Sequence, residues 1–322
     1  MSDVLEVIVD GIWRQGERSL AIRLVAEDGT PLPDWQPGAH IDVHLPCGII
    51  RQYSLTGACT TAESYLICVA RESASRGGSH YIHEILRPGQ RLLISPPRNL
   101  FALQEADRVL LLAAGIGITP LYAMALHLEA AGRPFKLHYY VKSRAGAAFI
   151  RELMQPLSHG VCVIHRSDAG ESPRLTLADA ISAPDGSTRL YACGPAGFMA
   201  AVREAASAMG WPETQIHTEA FQPLVMPAAN VEAETFTVTL ASSGESWPVP
   251  ANKSIAQVLM DNGVAVPLSC EMGICGACLT PVIDGVVDHR DTVQSEAEKT
   301  AASQHIALCC SRSKSGNVVI DL

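Results

Sequence analysis

Over the first hundred residues, apolar and polar positions alternate in short runs. Leu20-Ala-Ile-Arg-Leu-Val25, His40-Ile-Asp-Val-His-Leu45 and Ser64-Tyr-Leu-Ile-Cys-Val-Ala70 are the clearest of them and read as half-buried strands. Gly29-Thr-Pro31, Pro37-Gly38 and Pro88-Gly89 punctuate the runs, as turns do. Many short strands without long helices predict a small closed or nearly closed antiparallel barrel. At Asp107 the pattern changes. Arg108-Val-Leu-Leu-Leu-Ala-Ala114 is a continuous apolar run suited to a buried parallel strand. Gly115-Ile-Gly-Ile-Thr-Pro120 follows, and then Leu121, Met124, Ala125 and Leu128 recur at helical spacing. This predicts strand, glycine turn and helix, with Thr119 as N-cap and Pro120 at the first helical position. Further strands are expected at Lys136–Val141, Val161–His165 and Arg189–Cys193, with helices near 147–154 and 197–209. Such alternation predicts a doubly wound parallel sheet whose ligand sits at the carboxyl ends of its strands.

Residues 222–232 hold proline and alanine without periodicity, which reads as a connector. Beyond it, Thr235–Leu240 alternates as a strand and Trp247–Pro250 suits a short edge. A helix is expected over 252–262, with Ile255, Val258 and Leu259 on its apolar face. Cys278–Ile283 reads as a strand turning at Asp284-Gly285, and Asn317–Leu322 as a closing strand. A small mixed sheet with one covering helix fits this pattern. The expected boundaries are 1–102 for the barrel, 103–224 for the α/β domain, 225–234 for the linker and 235–322 for the last domain.

Composition fits several folded domains. The chain has 322 residues, 48% of them hydrophobic and 18% charged, more than one ordinary core supports. No run of eighteen apolar residues occurs and the start lacks a basic-then-apolar leader, so neither a membrane span nor secretion is expected. Five of the ten cysteines, Cys47, Cys59, Cys68, Cys162 and Cys193, are scattered, as lone buried thiols are in a reducing, cytoplasmic setting. The formal charge is −9, and 231–322 contributes −6 of it from 11 acidic and 5 basic residues. That disfavours nucleic acid and suits either solubility or a basic partner surface.

The most specific chemistry lies in Cys270-Glu-Met-Gly-Ile-Cys-Gly-Ala-Cys278. Its thiols are separated by four and then two residues, and Cys309 comes after thirty more. This is the plant-type spacing of a [2Fe-2S] cluster. Gly273 and Gly276 free the backbone to approach an inorganic core. Structural zinc is the competitor, but it usually takes two short Cys-x₂₋₄-Cys knuckles. Cys309 and Cys310 are adjacent, and spacing leaves open which of them ligates.

In the barrel, Arg51-Gln-Tyr-Ser54 follows a strand and Arg76-Gly-Gly-Ser79 precedes a short helix over 80–86. Arg51 can meet a phosphate through both guanidinium donors. The glycines can curl amides toward the same anion, and Ser79 can cap the helix. In the α/β domain Gly115-Ile-Gly falls short of the full dinucleotide fingerprint, because position 120 is proline and Val141 is followed by Lys142, Ser143 and Arg144. Two glycine-bearing strand ends, at 115–117 and 194, nevertheless face one crevice and suit a nicotinamide dinucleotide; simple relief of packing is the alternative. A nicotinamide delivers two electrons together, whereas a [2Fe-2S] cluster takes one. A flavin bridges the two, so the barrel is read as a flavin site. The cluster is expected near −400 mV, as an order of magnitude.

The order of these modules, with Pro97-Arg-Asn99, Tyr191-Ala-Cys-Gly-Pro195, His217-Thr-Glu-Ala-Phe221 and Asp288-His-Arg-Asp291, resembles the phthalate dioxygenase reductase family along essentially the whole chain. This family comprises class IA reductase components of Rieske oxygenases, vanillate O-demethylase reductases among them. The resemblance implies a multidomain fold: an antiparallel flavin-binding β-barrel, an α/β parallel-sheet nicotinamide-binding domain and a C-terminal α+β β-grasp plant-type ferredoxin domain. It implies FMN rather than FAD, held by Arg51, Tyr53, Ser54, Arg76, Gly77, Gly78 and Ser79. Gly115, Gly117 and Thr119 would line the nucleotide cleft, with Cys193, Gly194 and Pro195 near the nicotinamide and Arg144 near the adenosine ribose. Ser54, Cys193, Glu219 and Phe221 would border the flavin–nicotinamide contact where hydride passes. Cys270, Cys275, Cys278 and Cys309 would hold the iron, and Cys310 would be a buried thiol. Ser75 departs from the glycine of many relatives. Arg166 stands alone after its strand, which favours NADH over NADPH.

The implied partner is a Rieske-type oxygenase that hydroxylates or demethylates an aromatic or similar small substrate. A self-contained NADH oxidase or an oxygen- or nitric-oxide-handling reductase is one alternative, and a reductase serving a cytochrome is another. A third is a non-catalytic metal-binding or redox-sensing module.

Overall fold

The computed structural model describes residues 4–46, 48–59, 63–73, 75, 77–221 and 235–322. Arg76, Cys47 and the connector at 222–234, with its expected linker at 225–234, lie outside the described residues. The chain divides into two compact units, Met1–Phe221 and Gln222–Leu322.

The first unit contains two sheets. β1 (Leu5–Gln15), β2 (Ser19–Ala26), β3 (Ala39–His44), β4 (Ile50–Ser54) and β5 (Tyr65–Ala70) are followed by α1 (Gly78–Glu84), β6 (Arg91–Ile94) and the short β7 (Arg98–Asn99). The strands pair antiparallel in the order β4-β3-β6-β1-β2-β5, with β7 on β3. A bridge between Leu55 and Ile67 joins the two ends, which closes the barrel. Alternation does the rest. Val7, Val9, Ile22, Leu24, Ile41, Val43, Ile67 and Ile94 are inside and essentially inaccessible, while Ile8 and Arg23 between them are less buried and Asp42 of β3 is covered by its neighbours.

The second sheet is parallel. β8 (Arg108–Ala114), α2 (Ile118–Ala130), β9 (Phe135–Val141), α3 (Ile150–Leu153), β10 (Gly160–Arg166), α4 (Pro173–Ala180), β11 (Thr188–Cys193), α5 (Ala196–Ala208) and β12 (Ile216–Glu219) alternate along the chain. The strand order is β10-β9-β8-β11-β12. Every residue of β8 after Arg108 is buried, because helices cover both faces of the sheet. α4 and β12 were not foreseen. β12 is only half buried, so its apolar signal is weak.

Two caps differ from expectation. α2 starts at Ile118, one turn of 3₁₀-helix (Gly115–Gly117) having tightened the entry. Thr119 therefore lies inside the helix, and its hydroxyl donates to the Ile116 carbonyl at 3.1 Å instead of accepting an amide. Ser79 lies likewise inside α1, whose N-cap is Gly77 at φ 93°. The helix expected over 147–154 shrinks to α3, with Phe149 at φ 56° before it; Ala147, Ala148 and Phe149 are spent on filling the core.

The second unit is a mixed sheet ordered β14-β13-β17-β15-β16, from β13 (Phe236–Leu240), β14 (Ser246–Val249), β15 (Leu279–Asp288), β16 (His305–Ala307) and β17 (Arg312–Ile320). α6 (Ile255–Asp261) covers it with Ile255, Ala256, Val258 and Leu259. α7 (Glu296–Lys299) is a single turn. Ser254 begins α6 with a full capping box, accepting from Gln257 N at 3.1 Å while the Gln257 side chain accepts from Ser254 N at 2.9 Å. The turn expected at Asp284-Gly285 is absent. β15 runs through it as one bulged strand, because Gly285 at φ 109° takes up the irregularity close against Asn317.

Candidate redox site

In the barrel, β4 and the start of α1 bring Arg51 and Gly78 together. The arm of Arg51 lies on the backbone of Gly78, where an added Cβ would meet its Cγ at 2.6 Å. Arg51 Nη1 donates to the Ile50 carbonyl at 2.7 Å. Glycine at 78 is thus a condition for the guanidinium to lie there. Ser75 was read only as a departure, yet its hydroxyl accepts from Gly77 N at 3.2 Å and from Ser79 Oγ at 3.0 Å. Its position ahead of the two glycines was the available signal. Tyr53 packs against the barrel core, and burial raises its phenol well above the ordinary value.

Ser54 ends β4 and Glu219 ends β12, strands of different sheets. The Ser54 hydroxyl donates to Glu219 Oε2 at 3.4 Å. Burial pushes the Glu219 carboxyl up to about 8, against that hydrogen bond, which favours the ionised form. Cys193, inaccessible at the end of β11, pairs in register with Glu219. Its thiol is pushed up by burial and then by the Glu219 charge. Phe221 packs on the core of the parallel sheet just beyond. The four residues expected at the hydride-transfer contact therefore occupy the carboxyl ends of two neighbouring parallel strands and the barrel strand facing them.

The glycines separate into two kinds. A Cβ at Gly117 would strike the Cys193 carbonyl, and one at Gly194 would fall 2.9 Å from Ala114 Cβ. Both permit close contact of α2, β8 and β11. Gly115, at φ 56°, has no atom within 4 Å of an added Cβ, so it borders open space in the crevice. Pro195 is the N-cap of α5 in extended conformation.

Arg144 is not part of this group. It lines a pocket of about 600 Å³ beside the edge strand β10, with Ile150, Leu153, Met154, Ile164 and Arg166. Its Nη2 lies 3.0 Å from Met154 Sδ. Arg166 therefore does not stand alone, but Asp168 Oδ1 is 4.0 Å from its Nε.

In the second unit, Cys270, Cys275 and Cys278 are 3–4% exposed. The Cys270 thiol lies close enough to Cys275 and Cys309 to titrate together with them, as Cys278 does with Cys309. Those contacts lower the Cys270 thiol and raise Cys275 and Cys309 in return, so the sulfurs share protons as one set. Met272 N and Ala277 N lie 3.3 and 3.4 Å from the sulfurs of Cys270 and Cys275. Gly273 and Gly276 both have positive φ, 72° and 71°. Cys310 instead faces Gly273, where a Cβ would lie 2.5 Å from its sulfur, and it is half-buried rather than the buried thiol expected. Four neighbouring sulfurs, with the Met272 and Ala277 amides beside two of them, suit by their donor chemistry a thiolate-held inorganic core.

Residues 238–314 match the 2Fe-2S iron-sulfur cluster binding domain family. Over 322 residues the chain is 42% identical to a vanillate O-demethylase oxidoreductase of Pseudomonas sp. (strain HR199 / DSM 7063), covering 99% of this chain and 100% of the relative. A solved phthalate dioxygenase reductase, described as a modular structure for electron transfer from pyridine nucleotides to [2Fe-2S], superposes with TM-score 0.74 at 35% identity, covering 99% and 98% of the two chains. The chain belongs to the phthalate dioxygenase reductase family. It is an electron-transfer oxidoreductase that carries a [2Fe-2S] domain behind flavin- and nicotinamide-type modules. An intact type IV self-sufficient cytochrome P450 monooxygenase contains the same arrangement, with TM-score 0.86 and 35% identity over 99% of this chain, which spans 41% of that protein. Among the described residues no helix is long and apolar enough to cross a membrane.

Proposed function

We propose that this reductase takes hydride from NADH onto FMN and hands single electrons through its [2Fe-2S] centre to a Rieske-type oxygenase. The observation that carries the reading is the meeting of Ser54, Glu219 and Cys193 from two sheets beside an Arg51–Gly78 phosphate seat. Arg51 binds the flavin phosphate with the Gly77–Ser79 amides and hydroxyl, and Tyr53 packs against the cofactor. FMN supplies the two-electron to one-electron conversion. Ser54 and the protonated Glu219 border the position where nicotinamide meets flavin, excluding water and holding a proton on the carboxyl. Cys193 closes the floor of that space.

Cys270, Cys275, Cys278 and Cys309 hold the two irons. Arg144 serves the adenosine end of the nucleotide. Asp168 beside Arg166 opposes a 2′-phosphate, which supports NADH. The full-length relatives named for vanillate demethylation and phthalate dioxygenation support a Rieske oxygenase as acceptor. A haem acceptor is the second reading, favoured by the P450 that carries this same module in one chain.

An anaerobic NADH titration followed by visible absorption tests the assignment. The expected uptake is about three electrons per chain, two on flavin and one on the cluster. Reduction of the flavin with the iron left oxidised, or preference for NADPH, would count against it. Slow NADH consumption that accelerates on adding a Rieske component rather than a cytochrome would decide between the acceptors.

A further inference from the structure

The Asp288-His-Arg-Asp291 segment plays no part in ligating iron, yet it is built into the wall behind the thiol loop. The Asp291 side chain is fully buried. Its carboxylate accepts from Gln294 N at 3.1 Å, Gln294 Nε2 at 3.2 Å and Ser311 Oγ at 3.3 Å. His289 Nδ1 stands 3.5 Å away. Among the described residues no arginine or lysine forms an ion pair with Asp291; Arg290 pairs with Asp288 instead. So buried a carboxylate is retained at a cost, and hydrogen bonds offset that cost.

The Asp291-Thr292 segment reaches both parts of the ligand set. Thr292 N donates to the Gly273 carbonyl at 2.9 Å. A Cβ on Gly273 would sit 3.0 Å from Asp291 Cα and 3.1 Å from its Cβ. Gly273 lies between Cys270 and Cys275, so the backbone of the thiol loop rests directly on Asp291. Ser311, on the other side, is two residues past Cys309 and also accepts from Arg290 N at 3.1 Å. The loop with three ligands thus rests on Asp291 and is held by the Thr292 amide, while the Asp291 carboxylate holds the turn with the fourth through Ser311.

From this geometry we infer that Asp291 is a positioning residue for the iron–sulfur centre and that its charge keeps the reduction potential low. With a cluster bound, its four thiolates would make the centre anionic, and reduction would add one further electron to it. A fixed negative charge behind the loop opposes that electron, and solvent does not screen it. The bridge to Ser311 keeps the two ligand segments in register, so its loss opens the site to iron release. The inference rests on the [2Fe-2S] reading of the thiol loop.

Three variants of the full chain test it, with spectroelectrochemical titration and the rate of iron loss to a chelator as readouts. Iron and acid-labile sulfide in the parent protein check the cluster reading itself, separately from the variants. Asp291→Asn, nearly isosteric, is expected to load iron and sulfide and to titrate at a higher midpoint potential than the parent. Asp291→Ala is expected to lose iron about 10–100-fold faster, the usual effect of removing a support behind a metal ligand. Ser311→Ala keeps the charge and removes the bridge; faster iron loss with a smaller rise in potential than in Asp291→Asn is expected, and it remains informative if the Asp291 variants fail to fold. A loaded Asp291→Asn protein with the parent's potential, or parent-like iron retention in Ser311→Ala, would overturn the inference.

Discussion

At Arg51 a charged side chain lies along the backbone of Gly78, the arrangement on which the proposed phosphate seat depends. Replacing Arg51 with alanine removes a bidentate, charge-assisted contact worth about 1.5–3 kcal/mol. FMN affinity of the flavin-depleted protein is then expected to fall roughly 10–100-fold, measurable by quenching of flavin fluorescence; unchanged affinity would move the phosphate elsewhere. Glu219 offers a pH test. Its carboxyl keeps a proton up to about pH 8 in the folded protein and only to the ordinary carboxylate range when unfolded, so folding takes up a proton between those limits. The stability this gives is present in acid and declines as pH rises toward 8. Glu219→Gln removes that decline, so its urea midpoint relative to the parent is expected to climb from about pH 5 to about pH 8. Arg51, Ser54, Cys193 and Glu219 were all legible as candidates because each stands in a short motif. The elevated Glu219 carboxyl was not, since desolvation depends on what other segments bring over it.

Among the elements, long apolar runs and alternating strands announced themselves, as β8 and the barrel strands show. Short or bulged ones did not. β12 is half exposed, and β15 hides a bulge where sequence suggests a turn. Both caps misread at Thr119 and Ser79 failed for one reason: a preceding glycine began the helix earlier. The join between α2 and β11 is the element-level test. An added methyl at Gly117 meets the carbonyl of Cys193, and backbone cannot rotate aside as a side chain can. Gly117→Ala is expected to destabilise the first unit by about 1–3 kcal/mol through overpacking. A urea midpoint equal to the parent's would show that the join is looser than it looks.

For the whole molecule, two compact units with separate cores predict that cluster and flavin chemistry can be separated by mutation. Cys275→Ser should abolish the iron–sulfur absorbance while NADH still bleaches the flavin; loss of both would tie the cores together. The chain's own order of residues determined its module plan and the three-thiol loop at Cys270, Cys275 and Cys278, because loop spacing and strand or helix periodicity are set within one segment. Folding in three dimensions decided what spacing cannot encode. It placed Ser54 of the barrel against Glu219 of the parallel sheet, set Cys309 rather than Cys310 beside Cys270 and Cys278, and laid Gly273 on Asp291. Each of these is a contact between residues far apart along the chain, and its chemistry comes from the burial and proximity that only packing creates.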